Sequence, residues 1–223
     1  IPRFLEYFIG QVLQDTGRDL FCVSNTMKHD LFSSQQLKRL QLFHSRVSHC
    51  NSYGTDFQVP TSTAAFVTPN SMSPHFRVDG DDDDSTRPTE FVAAFETRQN
   101  DKSDINDDDD EMTRWSKQLD NLGWQKVFWD VRSHLPSIMK TKSSSESSHL
   151  LAASSGTSSS SADLYDTFAS ISSSLPIPFG HTVLVANAKN AYYREWNRGG
   201  QPIMDCVARS MLQELMDKSA SWK

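Results

Sequence analysis

The stretch LDNLGWQKVFWDV, residues 119–131, predicts the end of a helix followed directly by a buried strand. Upstream of it, apolar residues recur at the spacing of one helical face: Met112, Trp115, Leu119 and Leu122. Gly123 is the residue type that ends a helix at the C′ position. The segment WQKVFWDV, 124–131, is rich in aromatic and β-branched side chains, which favour strands. The stretch therefore predicts a helix that leads into a strand of the core.

Helices and strands alternate on both sides of this stretch. Upstream, residues 19–24 and 46–52 are predicted to be short strands, with a helix between them that Ser33 or Ser34 caps. Downstream, HTVLVANA at 181–188 is either a strand or a tightly buried turn. A final helix carries one apolar face: Ile203, Val207, Met211, Leu212 and Leu215. This alternation predicts an α/β fold.

Two polar segments interrupt the pattern and are predicted to be disordered insertions. The first, 79–111, contains the runs DGDDDD and NDDDDE, whose like charges repel one another and stay solvated. The second, 142–175, is rich in Ser and buries too little apolar surface to offset its ordering entropy. The predicted parts are therefore a core at 1–78, the two insertions, a helix and last strand at 112–141, and a histidine loop with a C-terminal helix at 176–223.

Composition excludes several classes of protein. The net charge of −6 argues against a general nucleic-acid binder, which needs a basic face to engage phosphates. No apolar run of the 223 residues approaches membrane-spanning length. Cys22, Cys50 and Cys206 form no zinc pattern, so we interpret them as buried free thiols in a reducing compartment, which favours an intracellular protein.

The acidic run does not predict a metal site. Four acidic residues match positions 1, 3, 5 and 12 of a calcium loop: Asp79, Asp81, Asp83 and Glu90. Position 6 of such a loop is Gly, but here it is Asp84, so a solvated loop is favoured. Five histidines lack metal-ligand spacing and are interpreted as surface or loop residues: His44, His49, His75, His134 and His149. We expect no metal and no cofactor.

Two residues lie in loops beyond the carboxyl ends of predicted strands, where α/β proteins carry their catalytic and ligand-binding residues. Asp56 follows the strand at 46–52, and His181 comes after the strand at 124–131 and the Ser-rich segment. A carboxylate can fix the tautomer of an imidazole, which then takes a proton from a nucleophile. The alternatives are that Asp56 is only a turn residue and His181 only a packed or capping histidine.

Six short motifs follow one another along the chain: TGRDL at 16–20, Cys50-Asn51, Asp56 with Val59-Pro60, LDNLGWQKVFWDV, FGHTVLVANAKN at 179–190 and GGQPIMDCVARSML at 199–212. In this order they resemble the later half of a lipase-like serine esterase family of the α/β-hydrolase superfamily. The resemblance implies a partial α/β-hydrolase fold with a mostly parallel sheet. It also implies that Asp56 is the triad acid and His181 the triad base, in an enzyme that cleaves the esters of lipids or other acyl groups.

The nucleophile of that family lies in a G-x-S-x-G motif upstream of these segments, and this sequence contains no such motif. Because the sequence begins at Ile1 rather than Met, we expect it to be processed or part of a longer protein. This chain alone is expected to be inactive. Its expected partner is a lipid or other acyl-ester substrate, met at a lipid surface without a transmembrane segment. The alternative is a non-catalytic interaction module, or pseudoenzyme, derived from the same fold.

Overall fold

The computed structural model describes residues 32–52, 61–78, 88–99, 105–106, 108–134, 158–171, 183–186, 188 and 190–221. The chain divides into two compact units, Ile1–Arg46 and Val47–Lys223, and each is considered by itself. In the first unit, helix α1 spans Ser34–Gln41, and the Ser33 side chain caps it by accepting a hydrogen bond from the Gln36 amide. The predicted helix and its cap are confirmed.

Five strands of the second unit form one sheet. Their bounds are β1 Val47–Asn51, β2 Pro74–Arg77, β3 Phe91–Glu96, β4 Gln125–Trp129 and β5 Ser158–Ser160. Their order across the sheet is β1-β4-β3-β2-β5. β1 and β4 are parallel, whereas the other three pairs are antiparallel. The α/β class is confirmed, but a mostly parallel sheet is wrong for the described strands.

The second unit contains five helices within its described residues: α2 Thr61–Ala64, α3 Glu111–Asp120, α4 Ser161–Ile171, α5 Ala191–Trp196 and α6 Gln201–Ser221. Two 3₁₀ turns accompany them, Arg132–His134 and Arg198–Gly200. Helix α3 leads into β4 as predicted, with Gly123 between them at a φ of 76°. Of the face predicted for α3, Trp115, Leu119 and Leu122 are buried, but Met112 is exposed.

Both predicted insertions contain regular structure, so the expectation of disorder is wrong for these parts. β3 lies inside segment 79–111, where FVAAFE separates the two acidic runs and buries Phe95. β5 and α4 lie inside segment 142–175, where the backbone of β5 pairs with β2 and Leu164 is buried. The acidic and Ser-rich composition of these segments comes from their flanking residues, and it outweighs the short apolar stretches between them. Residues 79–87 and 142–157 lie outside the described residues.

The sheet is covered on both faces, which explains why four of the five residues of β4, Lys126 to Trp129, are buried. One face holds the buried cluster of Cys50, Ala65, Val67, Ala93, Phe95, Phe128 and Leu164. The other face holds the buried cluster of Ala94, Val127, Trp129, Val131, Val183, Leu184 and Ile203. Residues 183–186 form a turn and not a strand; Val183 and Leu184 are buried in it, whereas Val185 is exposed.

The predicted cysteine thiols and histidines differ in their burial. Cys50 is a buried free thiol as predicted, Cys206 is only half-buried, and Cys22 and the strand predicted at 19–24 lie outside the described residues. His75 is fully buried in β2 and His49 is half-buried in β1, so neither is an exposed loop residue. None of the helices in the described ranges is long and apolar enough to cross a membrane.

Three residues of the apolar face predicted for the last helix are exposed: Met211, Leu212 and Leu215. Ile203, near the start of α6, is buried against the sheet, and Val207 is partly buried. The predicted helix is therefore confirmed, but within the part of the chain that the structure describes only its first turns pack against the sheet.

Candidate active site at the carboxyl ends of the parallel strands

The carboxyl ends of β1 and β4 lie side by side because the two strands are parallel and Asn51 is in register with Trp129. The amide of Ser52 extends this pairing by donating a hydrogen bond to the Trp129 carbonyl at 2.8 Å. The Thr61 hydroxyl donates to the Asn51 carbonyl at 2.5 Å. Ser52 and Thr61, the described residues on either side of 53–60, therefore both lie at the carboxyl end of β1. Asp56 belongs to this segment and lies outside the described residues.

A network of hydrogen bonds fixes the turn that follows β4. The Asp130 amide donates to the Glu90 carbonyl at 2.7 Å, which ties the end of β4 to the start of β3. The Asp130 carboxylate accepts from three groups of Arg132: the amide at 3.0 Å, Nε at 2.9 Å and Nη2 at 2.8 Å. The His134 amide then closes the 3₁₀ turn on the Val131 carbonyl at 3.0 Å.

His134 and Glu90 form an acid–imidazole pair at this edge of the sheet. His134 Nε2 lies 2.6 Å from Glu90 Oε1, and the side chains are 24% and 8% exposed. The sequence suggested Glu90 only as a calcium ligand and His134 only as a surface or loop residue. No cluster of His, Cys, Asp and Glu suited to a metal ion occurs among the residues that the structure describes.

Two adjacent glycines bring a later segment against this pair. A β-carbon on Gly199 would lie 2.3 Å from Cγ of His134, so the imidazole occupies the space that a side chain would need. A β-carbon on Gly200 would lie 1.7 Å from the carbonyl oxygen of Val183. The turn Arg198–Gly200 therefore packs between His134 and Val183. His181, two positions before Val183 in the sequence, lies outside the described residues.

The segment that follows His181 contains a strained residue. Ala186 has a φ of 45°, a left-handed conformation that costs a residue with a β-carbon roughly 1 kcal/mol. Its amide donates to the Val183 carbonyl at 2.9 Å, which closes the turn. Strain of this kind persists where the surrounding packing determines the backbone, and such residues cluster at functional sites.

A second polar cluster, formed by Lys126, Asp120 and His75, lies inside the core. Lys126 Nζ lies 2.5 Å from Asp120 Oδ1 and 2.7 Å from His75 Nε2. Lys126 and His75 are fully buried, and Asp120 is 2% exposed. His75 Nδ1 lies 3.0 Å from the Ser73 carbonyl, to which it donates. His75 Nε2 is therefore free of a proton and accepts from Lys126.

Burial controls the protonation of this cluster. It lowers the pKa of His75 to about 3, with a further contribution from the nearby Lys126 ammonium. Burial also raises the pKa of Asp120 to about 6 and lowers the pKa of Lys126, while each of these two charges partly stabilises the other. Since the three side chains are closed off from solvent, the cluster links α3, β4 and β2 and is not placed to meet a substrate.

One feature of the sequence indicates part of the buried cluster. Lys126 has the same parity along the strand as Phe128, so it points into the same covered face. A lysine in such a position needs a counter-charge, because burying an unpaired ammonium is costly. Asp120 could have been suggested as that counter-charge, but His75 could not, since it lies on a strand separated from β4 by β3.

No model of a protein family, no curated protein and no solved structure matches this chain.

Proposed function

We propose that this chain is the C-terminal portion of a serine esterase or lipase with a partial α/β-hydrolase fold. In this proposal Asp56 orients His181, and His181 serves as base and then acid for a serine that lies outside this chain. The proposal originates in the resemblance of the sequence motifs to a lipase-like serine esterase family. Its substrate would be the acyl ester of a lipid or a related molecule.

One structural observation supports the proposal. Ser52 and Thr61, which flank the segment containing Asp56, are both bonded at the carboxyl end of β1. Val183, two positions after His181, shares a buried cluster with Trp129 and Val131 at the carboxyl end of β4. These strands are parallel neighbours, and working residues of α/β proteins collect at such an edge.

The chemistry would follow the order of a Ser-His-Asp triad. His181 takes the proton of the serine hydroxyl while the serine oxygen attacks the ester carbonyl carbon. The protonated imidazole then gives this proton to the departing alcohol, which leaves an acyl-enzyme. Water, deprotonated by His181, attacks the acyl-enzyme and releases the carboxylic acid. Asp56 keeps the imidazole in the required tautomer and stabilises its charged form.

The test uses the intact protein in which this sequence occurs, treated with a fluorophosphonate probe that labels activated serines. We expect one labelled serine outside these residues. We expect Asp56→Asn and His181→Ala to slow labelling by about 10³-fold or more, as loss of a triad member does. His44→Ala and Asp217→Asn are the matched controls, because both side chains are exposed, and should label at the original rate.

Labelling that is unchanged in His181→Ala would show that the proposed triad is wrong. If the intact protein is not labelled at all, while this chain unfolds cooperatively by itself, the non-catalytic interaction module becomes the better description. An exposed sheet edge and apolar face should instead make a mere fragment aggregate. The thermal unfolding of this chain therefore distinguishes the two outcomes.

A further inference from the structure

We propose that Glu90 and His134 are positioning residues for the segment that follows His181. Together with Gly199 and Gly200 they form a contact that we call the clasp. The clasp holds the backbone of Val183–Ala186 against the carboxyl end of β4. The inference rests on the proposed function only in the role it gives to His181, since the clasp itself consists of described residues.

The first step of the clasp is a fixed acid. Glu90 lies directly before β3, its side chain is 8% exposed, and its carbonyl accepts the Asp130 amide at 2.7 Å. Its carboxylate therefore belongs to the rigid sheet and not to a mobile loop tip. From this position Oε1 reaches Nε2 of His134 at 2.6 Å.

The second step is the orientation of the imidazole. The backbone of His134 is set by the 3₁₀ turn, and its Nε2 is held by Glu90. The opposite edge of the ring faces Gly199, where an added β-carbon would lie 2.5 Å from Nδ1 and 2.3 Å from Cγ. One ring nitrogen is thus bonded to an acid and the other is covered by backbone. This arrangement suits a residue that positions its neighbours better than one that takes a proton from a substrate.

The third step is the contact between the glycine pair and the segment after His181. Gly200 follows Gly199 directly, and a β-carbon there would meet the Val183 carbonyl oxygen at 1.7 Å and the Ala186 amide nitrogen at 3.1 Å. The segment is also anchored by Val183, which is fully buried, and contains the left-handed Ala186. A strained turn needs close packing to persist, and the glycine pair held by His134 provides that packing.

The clasp can be tested in this chain by hydrogen exchange of the amides in residues 183–186 and 198–200. We expect His134→Ala and Glu90→Ala to speed exchange in both segments by about tenfold or more, because local opening becomes easier. Exchange in β4 should stay unchanged. Arg132→Ala is the matched control, since this side chain belongs to the same turn and donates to the Asp130 carboxylate. Unchanged exchange at 183–186 in both clasp variants would overturn the proposal.

Conservative variants protect the test against a general loss of folding. His134→Gln and Glu90→Gln keep the size of each side chain and one hydrogen bond, so they should restore part of the protection that the alanine variants lose. If the glutamine variants exchange at 183–186 as fast as the alanine variants, a hydrogen-bonded clasp is wrong.

The same variants in the intact protein test the link to His181. Misplacement of a catalytic group by a small distance lowers rates by about 10²-fold. We expect His134→Gln to lower the maximal rate of fluorophosphonate labelling by about 10- to 100-fold, with the pH of half-maximal labelling unchanged. A shifted half-maximal pH would instead identify His134 as a base and overturn a positioning role.

The two proposals fail separately. If the clasp variants loosen 183–186 while labelling is unaffected by His181→Ala, the clasp stands and the triad is wrong. If labelling depends on His181 but the clasp variants change neither exchange nor labelling, the triad stands and the clasp is wrong.

Discussion

Lys126 Nζ lies 2.5 Å from Asp120 Oδ1 in the core, where neither side chain is more than 2% exposed. The pair joins the last residue of α3 to the second residue of β4, and His75 extends it to β2. A buried pair of this kind adds little net stability when intact, but removing one partner leaves the other charge without compensation. The free energy of unfolding should therefore depend strongly on both residues being present together.

We expect Lys126→Met to lower the free energy of unfolding by about 3–5 kcal/mol, because it strands the Asp120 carboxylate in the core. Adding Asp120→Leu to this variant should recover a large part of the loss. Urea denaturation of the single and double variants measures both effects. Lys117→Met is the control, since both side chains of the Lys117–Asp109 pair are 12% exposed, so water can reach Asp109 when Lys117 is lost and the loss of stability should be smaller. Equal losses in the two lysine variants would contradict the prediction.

The protonation of His75 predicts how stability depends on pH. The folded-state pKa of about 3 lies below the ordinary value of 6.5, so the unfolded chain binds this proton first. The stability from His75 is therefore complete above pH 6.5 and is lost as the pH falls toward 3. Asp120 acts in the opposite direction: its pKa is raised from 3.8 to about 6, so its contribution is complete below 3.8 and is lost as the pH rises through 6.

Denaturation of His75→Gln at several pH values separates these effects. Without the imidazole, the variant should lose less stability than the original chain as the pH falls from 6.5. Between pH 4 and 6 the effect of Asp120 should become visible in the variant as a loss of stability with rising pH. His49, whose pKa is also lowered by burial, remains in both proteins. Parallel pH curves for the two proteins would show that His75 is not held neutral.

Gly200 lies so close to another part of the backbone that a side chain there would collide with it. We expect Gly200→Ala to lower the free energy of unfolding by about 1–3 kcal/mol, as overpacking does, because its β-carbon would overlap the Val183 carbonyl oxygen. Ser210→Ala, at an exposed position in α6, should change stability by about 0.5 kcal/mol or less. Thermal unfolding measures both variants. A Gly200→Ala variant as stable as the original chain would show that Val183 does not lie against this turn.

Cys50 and Cys206 should differ in reactivity. Burial raises the pKa of the Cys50 thiol to about 12, so almost no reactive thiolate is present at neutral pH. Cys206 is half-buried in α6. We expect iodoacetamide at pH 8 to modify Cys206 at least about 100-fold faster than it modifies Cys50. Mass spectrometry of the peptides measures both rates. The difference should vanish in denaturant, and equal rates in the native chain would contradict the assignment of Cys50 to the core.

The sequence predicted elements well where the information is local. Helix α3, the glycine after it and strand β4 follow from side-chain periodicity and residue type within a few turns of chain. The same local information misled at β3, because two dense acidic runs around FVAAFE outweighed six residues of strand pattern. The roles of Asp56 and His181 follow from their place after strands and from a family resemblance. They remain predictions, since both lie outside the described residues.

By itself, the sequence determined that helices alternate with strands, that β4 is buried, and that α1 begins at a serine cap, because these follow from local propensity and hydrogen bonding. Only the tertiary structure decided that three of the four described strand pairs are antiparallel and that Lys126 meets Asp120 and His75. It also decided that Glu90 meets His134 across 44 positions of chain. Such contacts join residues far apart in sequence, and the balance of burial, charge and packing that selects them is a property of the whole fold.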